Sequence, residues 1–180
     1  MSTNVEPMRV IEAGHLLLEP QGAVHADEMF VVLSDPAIYE YENGPPSSLE
    51  WLRDRYTKLE SRQSKDGTEQ WLNWVIRLQS GELIGYVQAT VREGGSAAIA
   101  YELASAHWGR GHAFAATHAM IAELNRHYGV TRLSAVLKRQ NFRSQRLLER
   151  LGFELASPEE FARHSVDDDE MLMLRNLAPA

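Results

Sequence analysis

Apolar and polar residues follow two rhythms along this chain. The run His15-Leu16-Leu17-Leu18-Glu19, closed by Pro20, predicts a strand. From Ala23 to Leu33 the apolar residues Val24, Met29, Phe30, Val32 and Leu33 fall near helical spacing, and Asp35-Pro36 ends the segment. Ser47, with Glu50 three residues on, reads as a capping box that opens a helix carrying Leu49, Leu52, Tyr56 and Leu59 on one face. Three β-rich runs follow, Trp71–Leu78, Glu82–Arg92 and Ala97–Ala104, joined by the turns Gln79-Ser80-Gly81 and Glu93-Gly94-Gly95. Short turns between consecutive strands predict an antiparallel meander.

The rhythm then changes. Ala113–Tyr128 is Ala-rich and helical up to Gly129, Arg132–Leu137 is a strand, and Asn141–Leu151 is a helix stopped by Gly152. A polar, acidic stretch from Ser157 to Glu170 precedes a last strand, Met171–Leu174. The order β-α-α-β-β-β-α-β-α-β predicts an α/β (α+β) fold, a mixed sheet flanked by helices. Asn43-Gly44-Pro45-Pro46 and Ser61–Gln70 are short enough to be internal loops, so residues 1–180 are expected to form one domain.

Composition narrows the chemistry. The 180 residues include no cysteine, which excludes disulfides, thiolate metal sites and cysteine nucleophiles. A net charge of -7 argues against general nucleic-acid binding and favours a cationic or neutral partner. MSTNVEPMRV lacks the basic start and apolar run of an export signal, and no apolar stretch approaches the ~18 residues of a membrane span, so a cytoplasmic protein without membrane contact is expected. The histidines show no metal-ligand spacing, so no metal is expected. Trp51, Trp71 and Trp74 read as core, at least two of them, or as walls of a pocket.

The segment Tyr101 to Ala113 carries the chemistry. A strand runs into a loop with Gly109 and Gly111, and the loop opens directly into a helix. Glycines let a bulky ligand approach the backbone, and the first helical turn offers free N–H groups and positive dipole, with Arg110 beside it. The same residues also suit a tight turn with close helix–sheet packing. A P-loop is excluded because His112-Ala113 follows the second glycine instead of Lys-Ser/Thr. A dinucleotide fingerprint is excluded because the loop follows a meander and Phe114 stands where a third glycine would be.

Trp108-Gly109-Arg110-Gly111-His112-Ala113 resembles the pyrophosphate loop of the GNAT acyltransferases, and Trp108 resembles the W-G-x-G-x-A form of the RimJ/RimL-type ribosomal-protein N-terminal acetyltransferases. Asn141-Phe142-Arg143-Ser144 with Leu148-Glu149-Arg150-Leu151-Gly152-Phe153 is similar to that branch's N-x-x-S…L-E-x-L-G-F. The resemblance runs from about residue 8 to 176. It implies a GNAT-like domain whose central strand, Ala97–Ala104, splays from Arg132–Leu137, with acetyl-CoA in the wedge. The backbone of Leu103 and Ala104 would pair with the pantetheine arm. Trp108, Gly109, Arg110, Gly111, His112, Ala113 and Phe114 would surround the pyrophosphate, and Asn141 and Ser144 would face the cofactor.

The implied reaction is direct attack of an amine on the thioester through a tetrahedral intermediate, the oxyanion being held by a strand N–H. The acceptor would be a protein N-terminus, a polyamine or a small amine, and the branch also leaves room for a homodimer. Many members protonate the leaving thiolate with a tyrosine; that position is Leu148 here, and Ser144 is the substitute candidate, against an ordinary backbone-bonded helix serine. The branch's usual acid falls on Ala98, which leaves Glu102 as the base candidate, with Glu40 or Glu42 as others, against a solvated strand-end charge. An α-amine titrates near about 7.7, so a weak base suffices. Asp167-Asp168-Asp169 reads as an acidic rim or as a solvated loop. Without the tyrosine and the strand acid, the alternative is a non-catalytic, acyl-CoA-binding or regulatory domain.

Overall fold

The computed structural model describes residues 7–41 and 43–180. One sheet of eight strands runs through it: β1 (Ile11–Ala13), β2 (Leu16–Pro20), β3 (Glu69–Leu78), β4 (Leu83–Arg92), β5 (Ser96–Leu103), β6 (Arg132–Lys138), β7 (Glu154–Leu155) and β8 (Glu170–Asn176). Their order is β1-β2-β3-β4-β5-β6-β8-β7, and every pairing is antiparallel except β5 with β6. The meander β3-β4-β5 forms as the turn signals predict. So does the mixed α/β sheet.

Helices cover both faces. Helices α1 (Ala26–Val32) and α2 (Leu49–Leu59) pack on one side around Met29, Leu52, Tyr56 and Val75. Helices α3 (His112–Tyr128) and α4 (Phe142–Arg150) cover the other, where Met120, Leu124, Leu133 and Leu148 close the larger core. A fifth, short helix, α5 (Pro158–Arg163), lies in what the sequence reads as a polar loop. There Ser157 and Glu160 form a reciprocal capping box, and β7 is too short and exposed for its pattern to show.

Two local readings are corrected. Ser48, not Ser47, caps α2: its hydroxyl accepts from the Trp51 N–H at 3.0 Å. Strand β1 pairs with β2 through the turn at Gly14-His15, although its three residues carry too little alternation to be read. Of the tryptophans, Trp74 is fully buried core, Trp71 is half-buried and Trp51 is 45% exposed, so the expectation of two core indoles gives way to one.

The sheet opens between β5 and β6. Strand β5 pairs with β6 only from Ser96 to Ala98, against Arg132 to Ser134. Beyond Ala98 the two strands part. On its other side β5 stays clamped to β4 as far as Leu103, because Gly85 lets the chains approach: a Cβ there would meet the Glu102 carbonyl oxygen at 2.1 Å.

Candidate active site

The parted strands create a cavity of about 590 Å³ on the α3–α4 side. Its floor is the end of β5, Tyr101 to Leu103; one wall is the 109–114 loop and helix start, and the other is α4. The Ala104 N–H donates to the Ile84 carbonyl at 2.9 Å, which makes Leu103 and Gly85 a pair whose backbone groups point away from each other. Strand alternation thus turns the N–H groups of Tyr101 and Leu103 toward the gap. The expected pairing surface is narrower than the sequence implies. The Leu103 carbonyl already accepts from the Trp108 indole at 2.8 Å, and the Ala104 N–H is spent on β4.

The loop turns on two glycines into the start of α3. Gly109 and Gly111 have φ of 71° and 79°, the left-handed region that favours glycine, and an added Cβ at either would meet nothing within 4 Å. The constraint at both is therefore conformational rather than steric. Gly111 is the N-cap of α3 and supplies no side-chain cap, so the first-turn N–H groups face a cavity lined by Gly111, His112, Ala113 and Phe114. Arg110 is exposed and does not line the cavity.

The cations that line the cavity come from α4. Arg143, Arg146 and Arg150 line the cavity, with the Arg143 guanidinium 3.7 Å over the Trp108 ring and Arg150 4.7 Å over Phe114. Sequence reasoning missed all three, although their spacing of three and four is a helical stripe. Trp108 thus ties β5 to α4 through its N–H and its face. Asn141 caps α4, its Oδ1 accepting from the Ser144 N–H at 3.1 Å, so its carbonyl end positions that serine.

Ser144 does not stand alone. Its Oγ lies 2.6 Å from the Tyr101 hydroxyl, which is also 3.3 Å from the Ser144 carbonyl oxygen. Burial pushes the Tyr101 phenol up to about 12; the Ser144 bond opposes this and the Glu102 carboxylate adds to it, so the phenol keeps its proton. Tyr101 is a further lining residue that sequence reasoning missed. A phenol therefore lies beside Ser144 from strand β5, whereas Leu148 is core at 1% exposure.

His112 is buried, and its Nδ1 lies 3.0 Å from His15 Nε2, with the His107 ring 6.2 Å away. Burial holds the His112 imidazolium below the ordinary histidine range, with His15, His107 and Arg110 adding to the effect. His107 pairs with Glu82 at 3.2 Å. Among the described residues no group of histidines and carboxylates is arranged to hold a metal ion, and no helix is long and apolar enough to cross a membrane.

A second cavity, of about 540 Å³, lies on the opposite face of the sheet between α2, the 43–47 loop and strands β3 to β5. Glu102 lines both cavities. Tyr101 and Glu102 are neighbours on one strand and so project to opposite faces, which carries the site through the sheet at its opening. Asp35 anchors the approach: its carboxylate accepts from the Ser105 N–H at 2.6 Å and the Ala37 N–H at 3.0 Å, and these bonds hold it below the usual range. The Tyr39 phenol is pushed up to about 12, by burial first and then by Glu102 and Asp35. Glu40 is exposed and does not line the cavity, and Glu42 lies outside the described residues.

The Acetyltransferase (GNAT) domain profile matches residues 15–154. No curated protein matches the chain. Among solved structures it is similar to RimL, a ribosomal L7/L12 alpha-N-protein acetyltransferase in complex with coenzyme A, at 17% identity and TM-score 0.79, over 96% of this chain and 100% of that one. An aminoglycoside acetyltransferase in complex with coenzyme A aligns at 20% identity and TM-score 0.71, over 89% and 94%. A GnaT-family acetyltransferase from Bordetella pertussis, itself described as putative, aligns at 27% identity and TM-score 0.70, over 93% and 99%.

Proposed function

The chain belongs to the GNAT acetyltransferase family, and from that premise we propose that residues 1–180 form one enzyme domain that moves an acetyl group from acetyl-CoA directly to a primary amine. The observation that carries the proposal is Glu102, which lines both cavities and so stands where a donor on one face of the sheet would meet an acceptor on the other.

The residues fit coenzyme A. Uncapped N–H groups at the start of α3 and the arginines of α4 suit its phosphates, and the strand N–H groups of Tyr101 and Leu103 suit its amide-rich arm. Acetyl-CoA supplies the activated thioester. Glu102 takes a proton from the acceptor ammonium. A strand N–H facing the gap holds the developing oxyanion. With the Tyr101 phenol donating to Ser144, the Ser144 hydroxyl is free to hold its proton toward the leaving sulfur. Ser144 is the acid in contact with the reacting atoms, and Tyr101 positions and supplies it.

The RimL likeness and the W-G-x-G-x-A loop favour the RimJ/RimL-like branch, and the coenzyme A complexes among the neighbours support the cofactor. The test is thiol release from acetyl-CoA across a panel of amines and peptides, with the acetylated product identified by mass. Release that depends on the amine is expected. Tight acetyl-CoA binding with only slow hydrolysis would replace this reading by the non-catalytic one.

A further inference from the structure

We infer that the second cavity takes an amine that also carries a carboxylate, a zwitterion of the amino-acid kind with an apolar or aromatic body. The inference rests on the proposed acetyl transfer, because Glu102 marks the amine end.

The charges of the cavity set the class. Among the described residues lining it, Glu102 is the single carboxylate and Arg55 the single cation. The nearby Asp35 is committed to two backbone N–H groups, and Glu40 is exposed outside the lining. A polyamine or an amino sugar would bring two or more ammonium groups into a space with one described anion. Each further ammonium would have no anion of its own among the described lining residues and would share the cavity with the Arg55 guanidinium, a like charge that repels it. One ammonium and one carboxylate match the lining charge for charge.

Arg55 is placed for the carboxylate. It has no ion pair among the described residues, whereas Arg53 on the same helix is bound to Asp27 at 2.6 Å. Its guanidinium sits 5.7 Å from the Trp51 ring centroid, an arrangement that orients the fork without neutralising it. The adjacent Tyr56 hydroxyl is buried without a hydrogen-bond partner and feels the Arg55 charge. It is a second donor of the kind a carboxylate satisfies. Glu102 lies on the sheet floor and Arg55 on the helical wall, so the two ends of the ligand are held apart. The same lining includes Trp51, Tyr39, Tyr86 and Leu52, which suit an apolar or aromatic body.

The experiment uses the full chain with acetyl-CoA and the common α-amino acids, each scored by acetylated product. The best acceptor is then compared with its amide, its decarboxylated amine and spermidine, for wild type and Arg55→Gln. The zwitterion is expected to exceed the decarboxylated amine and spermidine in kcat/KM by about tenfold or more, and Arg55→Gln to abolish that margin through KM with kcat retained. Equal rates with the decarboxylated amine, a preference for spermidine, or an Arg55→Gln loss shared equally by all amines would overturn the inference while leaving acetyl transfer intact. Acetyl-CoA binding with no amine of the panel acetylated would overturn both, a distinct result.

Discussion

The donor-side cavity draws its walls from residues 101–114 and 141–150, two continuous stretches, whereas the acceptor-side cavity gathers residues from Gln21 to Glu102 across helix α2, several connecting segments and three strands. The first works largely through backbone: unpaired strand N–H groups, positive-φ glycines and a helix start. The second works through side chains, with Trp51, Arg55 and Tyr56 facing strand residues such as Asn73 and Tyr86. Backbone geometry needs particular residue types at fixed spacing and so leaves a motif. A lining assembled from distant side chains leaves none, because each position tolerates many residues of the right shape.

The largest perturbation should strike both cavities at once. Gly85→Ala puts a methyl into the Glu102 carbonyl, so we expect a stability loss of about 3 kcal/mol by denaturant titration, with acetyl-CoA affinity and amine turnover falling together. Gly111→Val should separate the two sides. A β-branched residue at this positive φ costs about 1–3 kcal/mol, so acetyl-CoA affinity by calorimetry should fall about 10- to 100-fold while the acceptor KM stays unchanged. If both parameters moved together, the independence of the two cavities would be wrong.

Tyr101→Phe is milder and more specific. It keeps the ring and removes the hydroxyl that meets Ser144. We expect kcat to fall about tenfold, with acetyl-CoA binding preserved and the alkaline side of the pH–rate profile altered. A change in melting temperature with no change in the profile would reduce the pair to a structural contact.

The smallest effect is on stability against pH. The folded His112 imidazole binds its proton less readily than the unfolded one, chiefly through burial. The unfolded chain therefore takes up this proton first as pH falls below about 6.5, so stability is retained above that value and declines below it until the folded imidazole also titrates. His112→Gln should flatten that slope in thermal melts. An unchanged slope would place the acid sensitivity elsewhere.

Most of the sheet and the four longer helices were legible because their apolar periods are long and most of their stops are marked, by Asp35-Pro36 after α1 and by Gly129 and Gly152 after α3 and α4. Gly129, for instance, ends α3 in the left-handed conformation its position predicts. Strand β1 and helix α5 were hidden, one because three residues hold no period and the other because its charge reads as a loop. In the site, the glycine loop and Ser144 could be singled out from local pattern. Tyr101 could not, since its partner is 43 residues away in sequence and only the parting of β5 from β6 brings them together. Arg110 drew attention as the charge nearest the loop, yet the arginines that line the cavity come from α4, whose stripe also packs on Trp108 and Phe114. Proximity in sequence was a poor guide to the charge, and helical spacing would have been a better one.

The central claim is that donor and acceptor meet at Glu102, and Glu102→Gln tests it most directly when acetyl-CoA affinity and amine turnover are measured on the same preparation. The account predicts that kcat/KM for the amine falls by about 100-fold or more, while the acetyl-CoA Kd stays within about twofold of wild type. Turnover at the wild-type level, or a loss of acetyl-CoA affinity in step with turnover, would contradict it.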